Sequence, residues 1–180
     1  MPVPLFSPRS HLFVDECKAK GYYVAATATA SSEASKIDRA LKQLVLPGQG
    51  RIHFTKEHQS RRRKLLAEFA VLNIEVTVYA TKGLRDNEAR RRCLTELAAD
   101  AVESQAQFLR LERDDTLVRQ DNKTLTEAFA GHLERPRFEH VSPNQYALLW
   151  VSDAVAWCYQ AGGDWWRRAE PLVAEVKKLS

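Results

Sequence analysis

Short apolar segments open the chain and predict a β-hairpin. Leu12 to Val14 is an apolar run typical of a buried strand, and it leads directly into Asp15 and Glu16. Tyr22 to Thr29 is rich in aromatic and β-branched residues, which favour a second strand. The polar stretch Lys18 to Gly21 between them ends in glycine, as a hairpin turn would.

Apolar residues that recur every three or four positions predict helices over much of the remaining chain. Pro47-Gly48 ends the first of them, and Asp86 caps the third. These four predicted helices cover residues 32–46, 56–70, 86–102 and 120–131.

The last third of the chain contains an almost wholly apolar helical segment. It runs from Tyr146 to Ala161 and ends at Gly162-Gly163. Asp164 then caps a predicted C-terminal helix that is broken or restarted at Pro171.

Alternating strands and helices predict the fold class. Three further strands are predicted at residues 74–80, 108–112 and 138–141. A hairpin followed by such alternation is typical of an α/β domain with a mixed five-stranded sheet and helices on both faces. At 180 residues we expect a single domain over 1–180, in which 1–10 form an irregular N-terminal arm.

Composition excludes several classes of protein. With 44% hydrophobic and 28% charged residues, the chain is neither disordered nor fibrous. No apolar run reaches the ~18 to 20 residues of a membrane span, and the proline-rich start lacks the apolar core of a secretory signal. Three widely spaced cysteines without a CxxC pair favour a reducing compartment. We therefore predict a cytoplasmic protein with no membrane partner.

The formal charge of +4 is unevenly distributed and suggests a nucleic-acid partner. Basic runs occupy 61–64 and 90–92. Such runs can neutralise phosphates, or they can be solvated helix faces that keep the protein in solution. We predict nucleic-acid contacts, with DNA and RNA both open, at Arg51, Lys56, Arg61, Arg62, Arg63 and Lys64.

Asp15 and Glu16 are candidate catalytic residues because they stand at the end of the first strand. In open α/β sheets, ligands gather at the carboxyl ends of the strands. The alternative is that these two acids are solvated charges at a strand exit.

Asp153 is the second strong candidate. It is the one charge within Ala147 to Cys158, and a buried carboxylate is costly unless it is paired, hydrogen-bonded or bound to a metal. Two structural alternatives stay open: Tyr146 to Val151 forms a strand and Ser152 or Asp153 caps the next helix, or Asp153 faces an arginine.

A third acid near the strand at 108–112 would complete a metal site. Glu112 continues that strand and is the first choice, Asp115 is the second, and Asp114 and Asp121 are further candidates. Carboxylates suit Mg²⁺ or Mn²⁺, which prefer hard oxygen ligands. His53 could shuttle protons, although a lone histidine between apolar neighbours is more often a hydrogen-bonded structural residue.

Four motifs, taken together and in this order, resemble the domain of unknown function 3800 family. They are Leu12 to Glu16, Arg51 to Phe54 ahead of a basic helix, Leu109 to Asp115 with Asp121, and Leu148 to Ala156 around Ser152-Asp153. The resemblance spans nearly the whole chain. It implies a ribonuclease H-like, three-layer fold and a metal-dependent nuclease.

The resemblance assigns positions in the site. Asp15, His53 and Asp153 match the family's first-strand aspartate, central histidine and late-helix aspartate, and Glu16 matches the acid that follows the first. The chain departs from the family at Cys17 and Lys18, where small residues are usual. It also departs at Gly50 and Arg51, where a glutamate often precedes the histidine.

The resulting hypothesis is a Mg²⁺- or Mn²⁺-dependent phosphodiesterase. Asp15, Glu112 or Asp115, and Asp153 hold the metal, with Glu16 and His53 in support. The alternatives are an inactive ribonuclease H-like module that binds nucleic acid or a protein partner, and a structural protein whose acids serve only in salt bridges. A homodimer is left open.

Overall fold

A six-stranded mixed sheet forms the centre of the molecule. The computed structural model describes residues 3–179. Its strands are β1 (Ser10–Cys17), β2 (Tyr22–Ala30), β3 (Glu75–Thr81), β4 (Phe108–Glu112), β5 (Arg137–Val141) and β6 (Val173–Leu179).

The strands lie in the order β5-β4-β1-β2-β3-β6. β1, β2 and β3 form an antiparallel meander, while β4 pairs parallel to β1 and β5 parallel to β4. β6 pairs parallel to β3 at the opposite edge. The carboxyl ends of β1, β4 and β5 therefore meet at one end of the sheet.

Within residues 3–179, six α-helices cover the two faces of the sheet. They are α1 (Ala34–Lys42), α2 (Gln59–Ala70), α3 (Asp86–Glu103), α4 (Val118–Phe129), α5 (Leu148–Ala161) and α6 (Gly163–Ala169). Side chains of α1, α2 and α5 pack into one apolar core, and those of α3 and α4 into another. The prediction of helices on both faces is thus confirmed.

Alternation along β1 divides its side chains between the two cores. Phe13 belongs to the core beneath α5, whereas Leu12 and Val14 belong to the core beneath α3. Successive strand residues point to opposite faces, so Asp15 shares the face of Phe13 and Glu16 points to the other face.

The prediction of five strands is wrong, because the C-terminal segment forms β6 instead of continuing as a helix. α6 ends at Ala169, a short 3-10 helix covers Glu170–Leu172, and β6 follows. Val173, Val176 and Leu179 are three residues apart, which resembles helical spacing. As an edge strand, β6 buries too little to show strict alternation.

Smaller differences concern segment boundaries. The second helix is predicted at residues 56–70. In the structure a 3-10 helix covers Phe54–Lys56, and α2 begins only at Gln59. The apolar stretch near residue 150 is a helix, so the alternative of a strand at Tyr146 to Val151 is wrong.

Residues 3–9 of the predicted N-terminal arm have no regular structure before β1, but they are packed against the domain. Phe6 is buried, and its N–H donates to Ser104 Oγ at 3.0 Å. Residues 1, 2 and 180 of the predicted domain lie outside the described part of the chain. Within residues 3–179, no helix has the length and apolarity needed to cross a membrane.

Ser152 attaches α5 to the sheet. Its hydroxyl donates to the carbonyl oxygen of Phe13 at 2.7 Å and lies 2.7 Å from Thr27 Oγ1, and both Ser152 and Thr27 are fully buried. These contacts fix the rotation of α5 over β1 and β2. They also fix the next residue along the helix, Asp153.

Replacing Ser152 by alanine should therefore destabilise the protein. Ser152→Ala leaves the buried Thr27 hydroxyl without this partner, and we expect a loss of about 1–3 kcal/mol in the free energy of unfolding, measured by urea denaturation. Ser60→Ala, at an exposed position of α2, is the control and should change stability little. An equally small effect for Ser152→Ala would contradict the role of this contact.

Candidate active site

Three predicted acids lie near one another at the carboxyl ends of the parallel strands β1 and β4, beside α5. Asp15 is near the end of β1, Glu112 ends β4, and the register pairs Val14 with Leu111, the residues just before them. Asp153 approaches the same place from α5. The structure therefore brings Asp15, Glu112 and Asp153 together although they are far apart in sequence.

The close approach of these groups changes their acidity. Burial, followed by the charge and hydrogen bond of Glu112, raises the pKa of Asp15 well above its ordinary value, and Glu16 and Asp153 add to the shift. Burial and the charge of Glu112 raise the pKa of Asp153 to about 6. These carboxylates repel one another and are poorly solvated, so they would gain from a cation.

The connection between α1 and α2 supplies counter-charges. Arg51 Nη1 lies 4.0 Å from Glu112 Oε1. The charge of Arg51 and the backbone N–H of Phe54 lower the pKa of Asp153 and so reduce the rise caused by burial and Glu112. Arg51 therefore faces the acids and not the open surface.

His53 lies in the same connection at the border of the acids. It is half-buried, and its Nδ1 lies 3.1 Å from Thr55 Oγ1. Burial and then the charges of Arg51 and Lys56 lower the pKa of His53, while Glu112 acts in the opposite direction. A neutral imidazole beside the carboxylates can accept or relay a proton.

Glu16 lies on the opposite face of the sheet from the three carboxylates. Its Oε2 is 3.1 Å from Nη1 of Arg90. Arg90 is 3% exposed and also makes two hydrogen bonds to Asp121, at 2.7 and 2.8 Å. His140 Nε2 contacts Asp121 at 2.9 Å.

Two of the predicted site residues, Glu16 and Asp121, are ion-paired in this buried network. Burial opposes ionisation of Asp121, but the hydrogen bonds from Arg90 and His140 outweigh it and lower the pKa of Asp121. Asp121 is therefore an ion-pair partner of Arg90. The Glu16 carboxylate pairs with Arg90 as well. From the other face of the sheet, its negative charge also raises the pKa of Asp15.

Asp115 lies outside the group of acids. Its side chain is 82% exposed and pairs with Arg113 at 2.7 Å. Asp114 accepts hydrogen bonds from the N–H and hydroxyl of Thr116. Both residues belong to the loop after β4, so Glu112, which is held within the strand, has the better position.

The predicted basic surface is only partly available. Arg61 donates to the carbonyl oxygen of Leu44, and Arg62 donates to those of Phe54 and Thr55, so both arginines serve the fold. The remaining predicted residues, which are exposed, are Lys56, Arg63 and Lys64.

The donor chemistry of the three acids fits a hard divalent cation, because carboxylate oxygens are the ligands that Mg²⁺ and Mn²⁺ prefer. Within residues 3–179, however, no group of three or more His, Cys, Asp or Glu side chains is arranged so that it could hold a metal ion.

Comparison with solved structures identifies the fold. The structure of the PCNA:RNase HII complex from Archaeoglobus fulgidus matches 91% of this chain and 75% of the other, with a TM-score of 0.56 and 17% sequence identity. The chain shares the fold of RNase HII. At this identity the similarity concerns the fold alone. No family model and no curated protein matches the sequence.

Arg110 lies near the site but is not among the residues predicted from the sequence. It is 8% exposed and lies two positions before Glu112 on β4, hence on the same face of the sheet. The signal was present in the sequence, because Phe108, Arg110 and Glu112 alternate with two leucines. That alternation places an arginine on the face that holds the acids.

Removing the charge of Asp153 should stabilise the protein in the presence of EDTA. The folded-state pKa is raised, so the folded protein binds more protons than the unfolded chain between the ordinary value of 3.8 and about 6. Stability therefore falls as pH rises through that window. At roughly 1.4 kcal/mol per pKa unit, Asp153→Asn should gain on the order of 1–3 kcal/mol at pH 7.

Urea denaturation at pH 7 and pH 4 tests this expectation, since the advantage of Asp153→Asn should shrink at pH 4, where the wild-type carboxyl is largely protonated. Asp115→Asn, at an exposed position, should change stability little at either pH. A destabilised Asp153→Asn at pH 7 would show that Asp153 is held by favourable pairing.

The two neighbouring arginines of α3 should differ sharply in their contribution to stability. Arg90→Met leaves Asp121 buried without its main partner, and we expect a loss of about 3–5 kcal/mol. Arg91→Met removes an exposed charge from the same run and should cost less than about 0.5 kcal/mol. Thermal and urea unfolding measure both, and equal effects would exclude a structural role specific to Arg90.

Proposed function

We propose that this protein is a metal-dependent nuclease that hydrolyses phosphodiester bonds of nucleic acid. The observation that carries the proposal is the convergence of Asp15, Glu112 and Asp153 at the carboxyl ends of two parallel strands. Burial and mutual repulsion make this arrangement costly for a structural protein. A divalent cation would relieve the repulsion.

Each group of residues has a distinct role in this mechanism. Asp15, Glu112 and Asp153 would hold Mg²⁺ or Mn²⁺, which when bound activates water and stabilises the leaving oxygen. Arg51 faces the acids and can contact a substrate phosphate after release from Glu112. His53 can relay a proton at its ring. Lys56, Arg63 and Lys64 would bind the phosphate backbone of the nucleic acid.

The comparisons support the class of activity at a coarse level. The neighbour of similar fold is an RNase HII in complex with PCNA, so a nucleic-acid substrate and a protein partner are both consistent with this fold. We also propose membership of the domain of unknown function 3800 family, on the motifs around Asp15, His53 and Asp153. DNA and RNA are both candidate substrates.

A second candidate function is a non-catalytic module that binds nucleic acid or a protein. Two contacts favour it: Arg51 lies against Glu112, and Arg90 holds Glu16. If arginines permanently neutralise the acids, the protein binds without turnover. This function predicts salt-sensitive binding and no affinity for Mn²⁺ at the acidic cluster.

Cleavage of labelled oligonucleotides tests the first proposal. We expect the protein to cut DNA or RNA with Mg²⁺ or Mn²⁺ and to lose activity with EDTA. Asp15→Asn, Glu112→Gln and Asp153→Asn should each lower kcat at least about a hundredfold, since even outer-shell partners of metal ligands cost 10- to 100-fold. Asp115→Asn is the matched control and should keep wild-type activity.

Calorimetric titration with Mn²⁺ separates the two candidates. Heat of binding that disappears in Asp15→Asn supports a metal site. Absence of both Mn²⁺ binding and cleavage, together with intact oligonucleotide binding, would leave the non-catalytic module. Cleavage that survives the double variant Asp15→Asn/Asp153→Asn would rule out the proposed residues.

A further inference from the structure

A separate cavity of about 290 Å³ lies on the same side of the sheet as the three carboxylates. It is framed by β1, β4, the start of α1 and the start of α5. Its polar and aromatic lining includes His11, Ser35, Asp38, Arg39, Arg110 and Tyr146. None of these residues was among the predicted site residues.

Strand register fixes the position of the cavity relative to the acids. Phe13 and Arg110, which line it, pair across β1 and β4. Each lies two residues before an acid, Asp15 or Glu112. At ~3.3 Å per residue the cavity is about 7 Å from the carboxylates along the strands. A chain-like ligand could therefore occupy both places at once.

Arg110 places a guanidinium, ion-paired with Glu139, beside the cavity. Its guanidinium lies 4.4 Å from the ring centroid of Phe108 and 4.7 Å from that of Tyr146. Nε donates to Glu139 at 3.0 Å and Nη1 lies 3.2 Å from His11 Nδ1. Nη2 makes no hydrogen bond within residues 3–179, so this nine-tenths buried arginine, which lines the cavity, retains one free donor although its charge is paired with Glu139.

The remaining charges of the lining favour an anionic ligand. The carboxylate of Asp38 is occupied, since Oδ1 accepts the N–H of Ala147 at 2.6 Å and Oδ2 lies 2.8 Å from Lys42 Nζ. Arg39 is exposed at the rim. Burial lowers the pKa of His11, and the charge of Arg110 acts in the same direction, so the ring is neutral near pH 7.

Tyr146 adds an aromatic wall. Its ring is half-buried, tilted against Phe13 at 5.5 Å between centroids, and borders the cavity. Aromatic rings are the platforms on which single-stranded bases stack in proteins. A free guanidinium donor and an aromatic ring within one small cavity match a phosphate linked to a base.

We propose that this cavity binds one nucleotide of a single-stranded nucleic acid. Arg110 and Arg39 contact its phosphate, and Tyr146 stacks on its base. That the neighbouring phosphodiester lies at Asp15, Glu112 and Asp153 rests on the proposed function. The nucleotide site itself does not require cleavage.

Fluorescence anisotropy with a labelled single-stranded DNA and its RNA counterpart, in EDTA, tests the site. Tyr146→Leu should weaken binding roughly tenfold, as expected for the loss of one stacked base, and Tyr146→Phe should restore it. Arg39→Gln should weaken binding and reduce the salt dependence by about one counter-ion. Arg119→Gln, exposed on α4, is the matched control.

Arg110→Gln should also weaken binding, with circular dichroism and thermal unfolding showing that the variant is folded. If it fails to fold, Tyr146→Leu and Arg39→Gln decide the question. Wild-type affinity in both of these variants overturns the proposal, and so does an equal loss in Arg119→Gln. If the wild-type protein cleaves nucleic acid but the cavity variants bind it with unchanged affinity, the nucleotide site is overturned and the nuclease is not. If the cavity variants lose binding and the wild-type protein shows no cleavage, the nucleotide site is upheld and the nuclease is rejected.

Discussion

Repulsion among buried carboxylates is the constraint that shapes this molecule. Asp15, Glu112 and Asp153 reach the same end of the sheet from two strands and a helix; burial shields Asp15 and much of Asp153 from water, whereas the Glu112 side chain is 24% exposed. Like charges in such surroundings either bind protons or attract a cation. The fold must therefore supply enough stability elsewhere to hold them in place, a cost often found at functional sites.

Contacts on both faces of the sheet stabilise the region around these carboxylates. On the α5 side, the Ser152 hydroxyl fixes the helix to β1, while Arg51 and the Phe54 N–H moderate the charge of Asp153. On the α3 side, Arg90 joins Glu16 to Asp121 and ties β1 to α4. The end of β1 is thereby held from both directions, which keeps Asp15 in position despite its unfavourable environment.

Much of the fold and the centre of the site could be predicted from local signals. A strand that ends in acids indicated Asp15, an acid that continues a strand indicated Glu112, and a lone charge within an apolar helix indicated Asp153. Pairing across the fold could not be predicted, because it depends on tertiary distances. Thus Asp121 is an ion-pair partner, and Arg61 and Arg62 of the basic run bind backbone carbonyls.

Two neighbouring acids, Asp15 and Glu16, have different surroundings because strand alternation places their side chains on opposite faces of the sheet. Glu16 meets Arg90 on the α3 face, whereas Asp15 meets further carboxylates on the α5 face. The same alternation on β4 puts Arg110 and Glu112 on the α5 face. The carboxylates at the strand ends and the guanidinium of Arg110 further back therefore share one surface. The α5 face is consequently the one that can hold an extended, phosphate-bearing ligand across the strand ends.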